Sequence, residues 1–193
     1  IFLELGADII LGCHTHSVQP AVIETFDGRK TYTLYCPGNY ANVYREHDGD
    51  ASLMAEVLGA DTYEIKPATL YTGRDLNWND SKSRSSVEMA DINSRPALAD
   101  KAAPVANYDT IFIGFPIWWY VAPHIINSFL ESYDFSGKTI VIYATSGGSG
   151  FGETLAQLKP SASESTLWVQ GKVFRGRTDK AALTDWVKTL PIE

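Results

Sequence analysis

The chain has 193 residues, 45% of them hydrophobic and 20% charged, which is enough for one sizeable core plus a smaller appendage. Its 16 Lys and Arg against 23 Asp and Glu give a formal net charge of -7, with no basic stretch interleaved with aromatics, which argues against nucleic acid as a partner. The two cysteines, Cys13 and Cys36, are too few for a disulfide framework, and no apolar run approaches the roughly 20 residues that cross a bilayer.

The chain opens on Ile1 inside a structured-looking segment, with no basic n-region or cleavage signal, and so reads as a fragment or processed chain. The expected location is cytoplasmic, any export signal upstream being invisible. The first elements are short strands: "ADIILGCH" around Ile9 to Leu11, "PAVIETF", and "KTYTLYC", the last two joined by the turn "DGRK". Charge and glycine in "YREHDGD" then break the pattern, placing a boundary between a β-rich fragment over 1–45 and an α/β domain over 46–193.

Past that boundary helix and strand alternate. Leu53, Met54, Val57 and Leu58 mark one helix face, stopped by Gly59, and "DTYEIKP" predicts a strand ending at Pro67. The polar stretch from Tyr71 to Asp100 predicts an irregular segment with one helical turn, on which Arg84 and Glu88 pair as part of a solvated loop. "YDTIFIGFPIWW" contains a buried parallel strand, Pro123 opens a helix with Ile126, Phe129, Leu130 and Tyr133 on one face, and "GKTIVIYATSGGSG" is a second buried strand. A weak helix around Leu155 and Leu158, a strand in "TLWVQGKVF", and a helix capped by Thr178 or Asp179 carrying Leu183, Trp186, Val187 and Leu190 complete the chain. This alternation predicts a doubly wound parallel sheet with helices on both faces and a ligand at the carboxyl ends of its strands.

Two loops fall at those ends. In "FPIWWYVAP", Pro116 stops the strand and Ile117, Trp118 and Trp119 follow; one indole packs beneath the next helix, and the other is suited to stack on a flat heteroaromatic ring. In "TSGGSGFG", Thr145, Ser146 and Ser149 supply hydroxyls, while Gly147, Gly148 and Gly150 let backbone N–H groups approach a ligand.

These two loops, with the segments between "GADTYEIKP" and "TSGGSG", resemble the flavodoxin family, in particular its bacterial subgroup with "PIWW" and "TSGGSG" loops, over about 51–190. The resemblance implies an FMN-binding electron-transfer protein working with a redox partner protein or small electron acceptor. It places Pro116 to Trp119 beside the isoalloxazine ring and Ser146 to Gly150 along its opposite edge, with Thr145 a further cofactor-binding candidate, while nothing in the sequence requires Trp78 to approach the flavin region. In an acidic protein, added negative charge on a buried flavin is disfavoured, which lowers its reduction potential. The family also begins with an apolar strand and an S-x-T-G-x-T loop that grips the phosphate at a helix N-terminus. Here that loop is missing or replaced. "CPGNYAN" offers a proline without an N–H, and Glu46, Asp48 and Asp50 crowd the helix start, so losing two or three charge-assisted bonds weakens FMN binding by roughly 3–9 kcal/mol. "TYTLYC" is the candidate to fill the vacant central strand position.

Within residues 1–42, the segment "LGADIILGCHTHSVQPAVIETFDGRKTYTLYCPGNYAN" resembles the C-terminal end of the bacterial capsule or polyglutamate synthesis family of metallophosphatase-like proteins. The resemblance makes His14 and His16 candidate metal ligands, with Asp8 and His47 the nearby extras, too few for a hydrolytic centre. Beside the flavin reading therefore stand two alternatives: a metal-dependent phosphoesterase remnant, and a non-catalytic fusion or truncated product.

Overall fold

The computed structural model describes residues 9–11, 22–26, 29–34, 54, 57–175 and 180–191. They contain two three-stranded sheets. In the first, β1 (Ile9–Leu11) pairs parallel with β3 (Arg29–Leu34), and β3 pairs antiparallel with β2 (Val22–Phe26), Phe26 opposite Arg29 across the expected turn. The three strands of the N-terminal region thus form as their β-branched and aromatic runs predict. The expectation that "TYTLYC" fills a central slot in the flavodoxin-like sheet is corrected here. β3 has β1 on one edge and β2 on the other, so neither edge is left to pair elsewhere.

The second sheet is wholly parallel, in the order β4 (Thr110–Pro116), β5 (Thr139–Thr145), β6 (Leu167–Phe174). Parallel neighbours need long crossovers. Between β4 and β5 the chain forms α2 (Ile125–Leu130), and between β5 and β6 it forms α3 (Thr154–Leu158) followed by a 3-10 turn, Lys159–Ser161. Upstream lies α1 (Arg84–Ala90), capped by Ser83, whose hydroxyl accepts the Ser86 N–H. The chain closes with α4 (Lys180–Val187), one turn shorter than the apolar spacing through Leu190 suggests. Met54, Val57 and Leu58 are helical, and Gly59 ends that helix at φ +62, as its lack of a Cβ allows.

β5 is the spine. Ile140, Ile142 and Ala144 point into one cluster with Phe115, Phe129, Leu130, Phe135 and Leu158, while Tyr143, one position out of phase, faces a second cluster with Met54, Phe174 and Leu183. The period-two alternation of a strand thereby covers both faces with helices, and the fold is α/β with a parallel sheet, as expected.

The predicted strand "DTYEIKP" does not form. Tyr63 and Ile65 still pack on the first cluster, but Thr62 and Glu64 also bury side-chain oxygens, so the segment shows no clean inside–outside alternation. The pairing made is one bridge between Pro67 and Leu98, with Ala68 N–H donating to Ala97 O and Ala99 N–H to Lys66 O. Among the described residues no strand lies on the outer edge of β4, and an apolar pattern without a ladder partner stays irregular. Burial raises the Glu64 carboxyl above its usual value, opposed by Lys66 Nζ at 3.0 Å.

Phe135 is fully buried between α2 and β5. Replacing it by Ala is expected to cost about 3–5 kcal/mol, whereas Leu167→Thr on the exposed face of β6 should stay within about 0.5 kcal/mol. Urea midpoints of the two variants measure the difference.

Candidate functional site

Parallel pairing fixes where the two loops emerge. β4 and β5 run in register from Thr110 opposite Thr139 to Pro116 opposite Thr145, so both stop at the same level. The chain beyond β4 stays attached for one more residue, Ile117 N–H donating to Thr145 O at 2.9 Å. Ser146 N–H in turn donates to Phe174 O at 3.0 Å, tying the start of the glycine-rich loop to the end of β6.

The residues after Ile117 form a tight reversal. Trp118 N–H donates to Val121 O and Val121 N–H to Trp118 O, each at 2.9 Å, enclosing Trp119 and Tyr120. Both enclosed residues have positive φ, 44 and 68 degrees. This is the geometry that two-residue turns of the primed type demand, normally met by Asn-Gly, and bulky side chains there cost on the order of 1–3 kcal/mol each. Two aromatic residues held in that conformation are exposed, Trp119 at 44% and Tyr120 at 68%.

Trp118 behaves differently. It is half-buried, with its ring at 89 degrees to that of Tyr71 and 5.5 Å from it. Of the adjacent tryptophans, Trp118 is thus half-buried against the Tyr71 ring and Trp119 is exposed. Pro116 and Ile117 are half-buried, the latter packed on the first core cluster.

The glycine-rich loop lies directly against the turn. A Cβ on Gly152, at φ +48, would sit 2.3 Å from Tyr120 O, so only glycine permits this approach. Ser146 Oγ accepts N–H bonds from Gly148 at 3.2 Å and Ser149 at 2.8 Å, which curls the loop and uses those two donors internally. Among the described residues no protein acceptor takes the N–H groups of Trp119, Tyr120, Gly147 or Gly150. Hypothetical Cβ atoms on Gly147, Gly148 and Gly150 meet open space. Exposed aromatic side chains and four N–H donors without a protein acceptor suit a flat ring with carbonyl acceptors on its edge.

Tyr120 and Gly152 extend the site beyond the residues predicted from sequence; the aromatic and the glycine were visible in the two motifs, but their contact was not. Trp78 is exposed at 58%, and among the described residues it makes no ring contact with the turn. His14 and His16, the "CPGNYAN" segment and Glu46, Asp48 and Asp50 lie outside the described residues, as do the proposed caps Thr178 and Asp179. Among the described residues no group of three or more His, Cys, Asp or Glu could hold a metal ion, and no helix is long and apolar enough to cross a membrane.

A model of the flavodoxin family matches residues 40–190. A crystal structure described as a "putative flavoprotein" from Bacteroides uniformis is 47% identical, with a TM-score of 0.66, covering 71% of this chain and 86% of the other. A second one so described, from Bacteroides eggerthii, is 43% identical at the same TM-score of 0.66, covering 72% and 87% respectively. No curated protein matches the chain.

Two outcomes follow from the geometry. Replacing Trp119-Tyr120 by Asn-Gly removes the strain and should raise the urea stability by roughly 1 kcal/mol or more, with the loss of any ring binding. Beside the turn, buried His124 donates from Nδ1 to Glu88 O at 2.8 Å, and burial lowers its pKa from the ordinary value. Below about pH 6.5 the unfolded chain then holds more protons than the folded one, so His124 contributes stability above that value and loses it as pH falls toward the lower folded pKa. Between about pH 7.5 and about pH 5.5, wild type should lose more stability than His124→Gln in paired urea titrations.

Proposed function

The chain belongs to the flavodoxin family, and from that membership and the geometry of its two loops we propose that it binds FMN and carries electrons. One observation carries the reading: a strained turn exposes Trp119 and Tyr120 against a glycine-rich loop in which the Gly147 and Gly150 N–H groups have no protein acceptor among the described residues. A bound flavin supplies the redox chemistry, taking up and releasing electrons.

This chain's residues bind and orient. Trp119 offers its indole face for stacking, with Pro116, Ile117 and Trp118 forming the support behind it. The N–H groups of Gly147 and Gly150 are available to hydrogen-bond the ring's carbonyl edge, and Ser146 keeps the loop curled while Thr145, Gly148 and Ser149 complete its wall. The net charge of -7 disfavours further negative charge at the ring and lowers its potential, in keeping with donation to a redox partner protein or small acceptor. No residue has to act as acid, base or nucleophile. The phosphate would be gripped outside the described residues, where a missing or replaced S-x-T-G-x-T loop would make that grip weak.

Titration of flavin fluorescence with the protein tests this. FMN should be quenched at micromolar protein, with riboflavin bound nearly as well because the phosphate adds little. Trp119→Ala should weaken both by roughly 5- to 150-fold, the ~1–3 kcal/mol attached to stacking a flat ring on an aromatic side chain. Absence of quenching at micromolar concentrations would overturn the proposal.

A further inference from the structure

The turn is held from behind by a cluster assembled from a loop and a helix. Glu88 on α1 uses both carboxylate oxygens: Oε1 accepts from Arg84 Nε at 2.6 Å, and Oε2 accepts from the Tyr71 hydroxyl. Arg84 Nη1 donates to Thr69 O at 2.6 Å, and its guanidinium lies 4.0 Å from the centre of the Tyr71 ring. Ser85 N–H donates to Asp75 O at 2.9 Å, closing the 69–75 segment onto the helix. The Arg84–Glu88 pair is therefore no solvated surface pair: both side chains are mostly buried and their hydrogen-bonding capacity is directed at one tyrosine and one carbonyl. Burial, first, and the Glu88 contact raise the Tyr71 phenol pKa, which keeps it a neutral donor.

The Tyr71 ring is thus fixed by its hydroxyl and covered by a guanidinium, and against it stands Trp118. Trp118 is also the residue whose N–H and C=O close the turn around Trp119 and Tyr120. We infer that Tyr71, Arg84 and Glu88 are positioning residues, which hold Trp118 and so pre-organise the Trp119–Tyr120 turn for a flat ring ligand. This inference rests on the flavin reading of the site. Ordering the turn before binding removes a cost that the ligand would otherwise meet, and the strained backbone of Trp119 and Tyr120 makes that ordering depend on outside support.

The test is a double-mutant cycle. Arg84→Met and Glu88→Gln should each weaken FMN binding roughly 5- to 20-fold and alter the visible circular dichroism of bound flavin, while Arg84→Lys, keeping the charge, recovers part of the affinity. In a Trp118→Leu background, Arg84→Met should change affinity by less than about 2-fold, because its route to the ligand is gone. Equal losses in both backgrounds, or wild-type affinity in Arg84→Met, would overturn the inference. The apoprotein supplies an independent readout: the near-ultraviolet band of the Tyr71–Trp118 pair, identified by its loss in Trp118→Leu, should also vanish in Arg84→Met. A band retained in Arg84→Met sinks the positioning role even if wild type binds no flavin, whereas failure of wild type to bind flavin, with the band lost as expected, counts against the flavin reading alone.

Discussion

The parallel pairing of β4 and β5 is the constraint from which the candidate site follows. Seven register pairs end with Pro116 opposite Thr145, and the next residue of each strand begins a loop. Because β5 is buried on both faces, with Ile140, Val141, Ile142 and Ala144 without solvent exposure, this register cannot slip by one residue without exchanging the contents of the two core clusters. The level at which the two loops meet is thereby set by core packing.

On that base the molecule places a locally unfavourable turn. Two aromatic residues with positive φ would not choose this conformation in isolation. They are kept in it by the reciprocal hydrogen bonds of Trp118 and Val121, by the close approach of Tyr120 O to Gly152, and by the packing of Trp118 on Tyr71. The stability of the sheet supports the strain, and what it leaves exposed is an indole and a phenol at the carboxyl edge of a parallel sheet, where α/β folds place their ligands.

The outer edge of β4 and the N-terminal sheet bear on the family comparison. The family match begins at residue 40, within "YCPGNYANVYREHDGD", so the flavodoxin-like sequence reaches further upstream than the helix pattern alone suggests. Even so, β3 is committed to β1 and β2, and the segment from Thr62 to Pro67 lacks a ladder. Its Tyr63 and Ile65 nonetheless pack on the core, and two backbone hydrogen bonds, Ala68 N–H to Ala97 O and Ala99 N–H to Lys66 O, tie its end to the 97–99 segment.

The sequence by itself determined the class of the fold and the identity of its main elements. Continuous apolar runs at Ile111 to Gly114 and Ile140 to Ala144 point to strands, the second buried throughout and the first only in part, and the i, i+3, i+4 spacing of Ile126, Phe129 and Leu130 suits a helix packed on a sheet. Both loop motifs were legible for the same local reason, since proline and repeated glycine act on their own backbone. Tertiary structure alone decided which tryptophan packs and which is presented, that Tyr71 is the packing partner, and that Arg84 and Glu88 serve it. It also decided that "DTYEIKP" would not become a strand. Periodicity records which side chains are apolar, but a ladder needs a neighbour and an aromatic contact needs two distant segments brought together, and those are properties of the assembled chain.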